Sequence, residues 1–399
     1  MTTTSKKHHR SALFGALLVA QLGLGGCSIF SDDDDPLDEP AVLVEFESRL
    51  AVQTAWTASV GGDGKGLRLG LVPATNGARV FIASNEGRIA AFDAITGEPV
   101  WRTDTELKIA GGPGVGRDRI AVGTSEGQVA ALAIESGEVL WTVDVGSEVL
   151  AAPAVTNNSV VTRTGDGSLI ALDAQNGEVR WDVRKRVQGL TLRGTASPAV
   201  LDDLVITGFD DGTLAAYRLA DGSPVWERVT AERRGRTEFD RLADVDGRVA
   251  AVGEDIFVVG FQGTASLLSS TSGSPVWRQD LSSHESVAVD WSRVYVTRAD
   301  DSVVALGRRT GVIEWEQSAL ARREITGSAV AGSVVIVGDY DGYVHFLEST
   351  TGDFVARQRV AKAAIVAPPM VIGDLVYVLA TDGTLTVFSP EPPAPVDGD

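Results

Sequence analysis

The chain has 399 residues, with one cysteine, Cys27, and four histidines. One cysteine cannot make an intramolecular disulfide or a thiolate zinc site. His8 and His9 lie in the first ten residues, so only His284 and His345 remain for a metal cage or an acid–base pair. Neither has a catalytic triad around it, and no P-loop, zinc-protease motif or nucleophile elbow is present. The expectation is no catalytic residue, no metal and no cofactor. What the chain offers instead is a thiol and many arginines. Arg184, Lys185, Arg186 and Arg193 form one basic stretch; Arg228, Arg233, Arg234, Arg236 and Arg241 form another. Arginine is the cation suited to bidentate carboxylate pairing at interfaces. Against a net charge of −19, such clusters create a local positive field. The excess of 54 acids over 35 bases argues against a nucleic-acid partner.

The thiol sits at the end of a leader. Lys6, Lys7 and Arg10 make a basic start, Ser11 to Leu24 is mostly apolar, and Gly25-Gly26 are small residues before a cleavage point. Residues 1–26 are expected to be a signal peptide, too short and glycine-broken for a membrane span of ~20 residues. Leu24-Gly25-Gly26-Cys27 resembles the lipobox of bacterial lipoproteins. That resemblance implies that Cys27 is acylated and becomes the first mature residue. Ser28, in place of Asp, implies sorting to the outer membrane. Several acyl chains on one cysteine anchor more firmly than a single myristate. Residues 27–50 follow as an acidic, flexible tether, with Asp32 to Asp35 flanked by Pro36 and Pro40. The four aspartates lack the glycine turn and distal glutamate of a calcium loop.

The elements that must position the arginines come from a repeat. Gly, then alternating apolar residues, then Gly ten on, then Trp four later recurs as Gly87-Gly97-Trp101, Gly127-Gly137-Trp141, Gly167-Gly177-Trp181, Gly212-Gly222-Trp226 and Gly263-Gly273-Trp277. The sixth copy has Asp301, Gly311 and Trp315; the seventh has Gly342, Gly352 and Ala356; the eighth has Gly383. A period near 40 with strand-like content is that of a propeller blade. Copy three reads as four short strands with tight turns at Asn157-Asn158, Asp166-Gly167 and Asn176-Gly177. The eighth copy lacks its last strand. Thr54 to Val60 carries Trp56 and belongs to no preceding blade; paired with the strand around Leu385 to Phe388, it would close the ring. The expected fold is all-β, an eight-bladed β-propeller of four-stranded antiparallel blades over residues 51–390. Residues 391–399 are expected to be a disordered tail.

The segments Gly87 to Asp93 and Thr96-Gly97-Glu98 resemble the PQQ-type propeller repeat, which occurs in quinoprotein dehydrogenases and in non-enzymes. With the lipobox, the Trp-bearing first strand and two further segments, the chain resembles the lipoprotein propellers of the outer-membrane β-barrel assembly (Bam) machinery. The two segments lie where the period stretches. The second glycines Gly177, Gly222 and Gly273 are 45 and 51 residues apart, so the outer-to-inner connections after blades three and four are enlarged and fall on one face. Leu190-Thr191-Leu192-Arg193-Gly194 resembles the family's leucine–arginine segment, and Glu238 to Asp246 its acidic segment. The resemblance implies that Leu190, Leu192, Arg193, Asp244 and Asp246 bind the periplasmic POTRA domains of BamA. The alternative at these residues is that Arg193 pairs with Asp244 or Asp246 and only shapes the loop. Arg241 is a further candidate, as is Trp291, which looks like a hairpin tip and is either a contact or a partly packed ring. The family implies a lipid-anchored scaffold on the periplasmic face of the outer membrane that assists folding and insertion of outer-membrane proteins, with nascent barrel strands as further partners. A ligand- or glycan-binding propeller lipoprotein is the alternative, and a quinoprotein dehydrogenase a weaker one.

Overall fold

In the computed structural model, residues 39–62, 69–185, 196–231, 245 and 247–391 are described. From Pro40 onward they form one compact unit. They contain no helix, and their strands form eight sheets. Seven sheets are four-stranded and antiparallel. The second blade gains a fifth strand, Gly70–Leu71, parallel to its inner strand Ile109–Val115. Blade three follows the reading from its turns, with strands Ala154–Val155, Ser159–Arg163, Ser168–Asp173 and Val179–Arg184.

Burial explains why the strands differ in composition. Second and third strands such as Arg79–Ala83 and Arg88–Asp93 are buried almost throughout, because each blade is covered on both faces by its neighbours. Sheets buried on both faces read as continuous apolar runs. Outer strands such as Val179–Arg184 alternate between exposed and covered residues. The core is therefore a ring of apolar clusters between adjacent blades. One joins Phe257 and Val259 of blade five to Val294 and Leu306 of blade six. Another joins Tyr377 and Val387 of blade eight to Val80 and Phe92 of blade one.

The ring closes as expected. Ala51–Ser59 pairs antiparallel with Thr384–Glu391, with Trp56 opposite Val387, and supplies the missing outer strand of blade eight. The repeated Gly–Trp pairs are joints between blades. Each outer-strand indole donates to a carbonyl in the last turn of the next blade: Trp101 to Ile134 at 2.9 Å, Trp181 to Leu219 at 2.9 Å, Trp277 to Arg308 at 2.8 Å. The ring then lies against that turn's glycine, as Trp181 does on Gly222. Blade eight has no turn between its third and outer strands, because the outer strand comes from the other end of the chain. An indole on the outer strand of blade seven would have no such turn to meet, which accounts for Ala356. In blade six Asp301 itself takes the left-handed conformation, φ 63°, and in blade five Gln262 does, φ 51°, where the other copies use glycine.

The expected tether runs to residue 50, but its last part is not separate from the body. Leu43, Phe46 and Leu50 pack on the propeller, against apolar clusters that include Phe354, Val355 and Ala356 of blade seven's outer strand.

Candidate functional site

Strand direction divides the propeller into two faces. Turns from inner to second strand and from third to outer strand lie on one face. Turns from second to third strand, and the connections to the next blade, lie on the other. Both enlarged connections belong to the second, loop-bearing face. The residues expected at their centres, Leu190, Leu192, Arg193, Arg241, Asp244 and Asp246, lie outside the described residues, as does Cys27. Their stems are described, and they converge on one turn of blade four, Phe209-Asp210-Asp211-Gly212.

The first stem ends at Lys185, whose ammonium donates to the Thr213 hydroxyl and to Glu227 Oε1 at 2.8 Å. It also lies 3.1 Å from Asp211 and 4.7 Å above the Phe209 ring. Burial pushes the Asp211 carboxyl up, but the Thr213 hydroxyl and Lys185 outweigh it and hold Asp211 below the ordinary carboxylate value. The second stem begins at Thr230 and Ala231, whose amides donate to the Gly212 carbonyl at 2.9 and 3.0 Å. It returns at Val245, fully buried against Gly208 in the core between blades four and five. Val245 stands between Asp244 and Asp246 in the chain, one residue before the end of the acidic segment.

Beneath the turn, Arg163 is wholly buried. It donates to the Gly208 carbonyl at 2.8 Å, pairs with Asp210, and lies 4.9 Å from the Phe209 ring. Phe209 is thus in contact with two cations. Arginine at a core position of a second strand, where blade one has Ala83, is the sequence signal that could have pointed here. Past the second stem, Arg248 keeps accessible surface but is crowded enough that desolvation lowers its pKa. It stands just before the inner strand Ala250–Val252, at the loop-bearing end of blade five.

Other basic residues are spent elsewhere. Arg184 pairs with Asp182 at 2.8 Å, and Arg228 donates to the Ser272 carbonyl at 2.7 Å. Trp291 is 95% exposed on the turn between the inner and second strands of blade six, so it is not a partly packed ring. That turn is on the opposite face from the two connections. Asp290 stiffens it, accepting from the Ser292 and Arg293 amides and from the Tyr295 hydroxyl at 2.7 Å.

No group of three metal-ligating side chains occurs among the described residues. His345 does pair with Asp339, at 3.0 Å, but both are wholly buried and the other ring nitrogen accepts from Arg357. No nucleophile completes a triad there.

A family model described as "Outer membrane protein assembly factor BamB" matches residues 52–108, 85–317 and 299–391. A BamB of Pseudomonas aeruginosa is 44% identical over 375 residues, covering 94% of this chain and 98% of that relative. The crystal structure of BamB from Moraxella catarrhalis superposes with a TM-score of 0.78 at 27% identity, covering 85% of this chain and all of that one. A quinohemoprotein alcohol dehydrogenase from Comamonas testosteroni superposes at 0.66 and 14% identity over 87% of this chain and 78% of its own, a likeness of fold alone.

Proposed function

Since this chain belongs to the BamB family of outer membrane protein assembly factors, we propose that it is a non-catalytic scaffold of the Bam complex that docks on the POTRA domains of BamA. The observation that carries this reading is the convergence of both enlarged connections on the blade-four turn through Lys185 and Gly212. A shared base fixes the stems of the two connections relative to each other, and fixed support lowers the ordering cost of binding. Leu190 and Leu192 supply apolar anchors, Arg193 a charged contact, and Asp244 and Asp246 acceptors; Arg241 adds a cation. Apolar anchors beside arginine are the usual chemistry of interface hot spots.

Cys27 carries the acyl anchor, and the propeller works at the periplasmic face of the outer membrane. Assistance to folding and insertion then comes from placing the POTRA array, and with it nascent barrel strands, near the bilayer. A scaffold rather than an enzyme is supported by the indoles. Seven of the eight tryptophans are joints between blades, so these rings are committed to packing and not to stacking on a quinone or a glycan.

Co-purification tests the reading. Leu192→Ala combined with Arg193→Glu should abolish recovery of BamA with a folded propeller. Unchanged recovery would remove this face from the interface.

A further inference from the structure

Residues 40–50 cross the outer wall of the propeller at blade seven. At the loop-bearing end, the Ala41 amide donates to the Ala321 carbonyl at 3.0 Å, and Arg323 donates to the Ala41 carbonyl at 3.1 Å. Midway, Arg357 donates to the Val44 carbonyl at 3.1 Å and lies 5.0 Å over the Phe46 ring. Phe46 stacks on Phe354 with centroids 5.4 Å apart. At the opposite face, the Arg49 and Leu50 amides both donate to the Val355 carbonyl, at 2.9 and 3.1 Å. The chain then turns back as the closing strand Ala51–Ser59.

The receiving surface is built for this segment. Asp339 holds Arg323 at 2.9 Å, and His345, itself held by Asp339, takes the Nε of Arg357 at 3.2 Å. Both guanidinium groups therefore have one side fixed in the blade and the other aimed at strap carbonyls. The outer strand differs too. Val355 is buried, whereas Val100, Val179 and Val276 near the starts of other outer strands are exposed. Valine stands in all four strands, and only in blade seven is it covered, because the strap lies over it.

We propose that residues 40–50 are a docked strap that sets the origin and the length of the membrane tether. The proposal rests on acylation of Cys27. With the strap docked, the stretch from Cys27 meets the propeller at Pro40 on the loop-bearing face, and its 13 residues can span at most ~45 Å. With the strap released, the tether would end at Ala51 on the opposite face and reach ~80 Å. Docking thus keeps the face that carries both enlarged connections close to the anchored leaflet. Undocking would let the propeller present either face.

The test has two arms. Hydrogen exchange on the soluble chain reads docking directly: the amides of Ala41, Arg49 and Leu50 should be protected. Phe46→Ala with Arg357→Gln should speed their exchange roughly tenfold or more while the blade strands keep their protection; Phe46→Ala alone serves if the double variant unfolds. Full-length acylated protein in liposomes with an acceptor lipid then reads the consequence. A donor dye is placed on Ala299→Cys or on Trp291→Cys, at opposite ends of one strand of blade six. The Ala299 site should transfer more strongly than the Trp291 site, and strap release should shrink that difference. Fast exchange in the unaltered chain would overturn the strap, as would equal transfer before and after release. No transfer from either site would show the chain to be off the membrane, overturning the anchor reading and the tether proposal together.

Discussion

Gly222 carries two demands on one atom. Its φ is +71°, and a Cβ there would sit 2.9 Å from the Trp181 indole. Gly253 also has positive φ, +61°, but faces open space. Gly222→Ala should therefore cost about 2–4 kcal/mol, combining left-handed strain with a clash, and Gly253→Ala only about 1–2 kcal/mol. Urea unfolding of the two variants measures the difference. The glycine pattern was legible because it is local: the turn and the ring it supports recur every blade. His345 was not. Its partners Asp339 and Arg357, and the Arg323 that bonds Asp339, come from three separate segments, and Tyr343 lies beside it. Burial holds its pKa below the ordinary 6.5 despite the pull of Asp339. An unfolded chain then takes up a proton that the folded ring refuses. Stability should be full above 6.5 and fall as pH drops from 6.5 toward the depressed folded value. The urea midpoint at pH 8 against pH 5.5 reads this loss, and His345→Gln should lack that share of it.

The blade-four turn is where separate elements become one site. Lys185 is partly exposed and its ion pairs contribute little stability, about 0–1 kcal/mol. Its role lies in tying the first connection to the turn. Lys185→Ala should leave the unfolding midpoint nearly unchanged and lower BamA recovery several-fold. Arg163→Ala is the contrast: it breaks a buried ion pair and should cost about 3–5 kcal/mol in unfolding. Equal stability losses in the two variants would contradict this division. Enlarged connections could be read from the spacing of Gly177, Gly222 and Gly273, since an insertion shifts a repeat. The base that joins them could not, because Arg163 and Asp210 are 47 residues apart. The strap was hidden for the same reason: Ser48 reaches a carbonyl 307 residues away, and the segment has no period of its own.

The described blades form a closed ring with two unlike faces, joined by seven indoles and shut by the strand Ala51–Ser59. Eight blades and their closure followed from counting copies, because one repeat cannot bury its own faces and an open ring would leave two bare edges. Assigning residues to faces required the strand order, which places Trp291 across the ring from both enlarged connections. Docking on the POTRA domains through the loop-bearing face is the proposal on which the rest depends. A photo-crosslinking residue placed at position 192 and, separately, at position 291 in native envelopes tests it most directly. The expected outcome is a BamA adduct from position 192 and none from position 291. An adduct from position 291 with none from position 192 would contradict it.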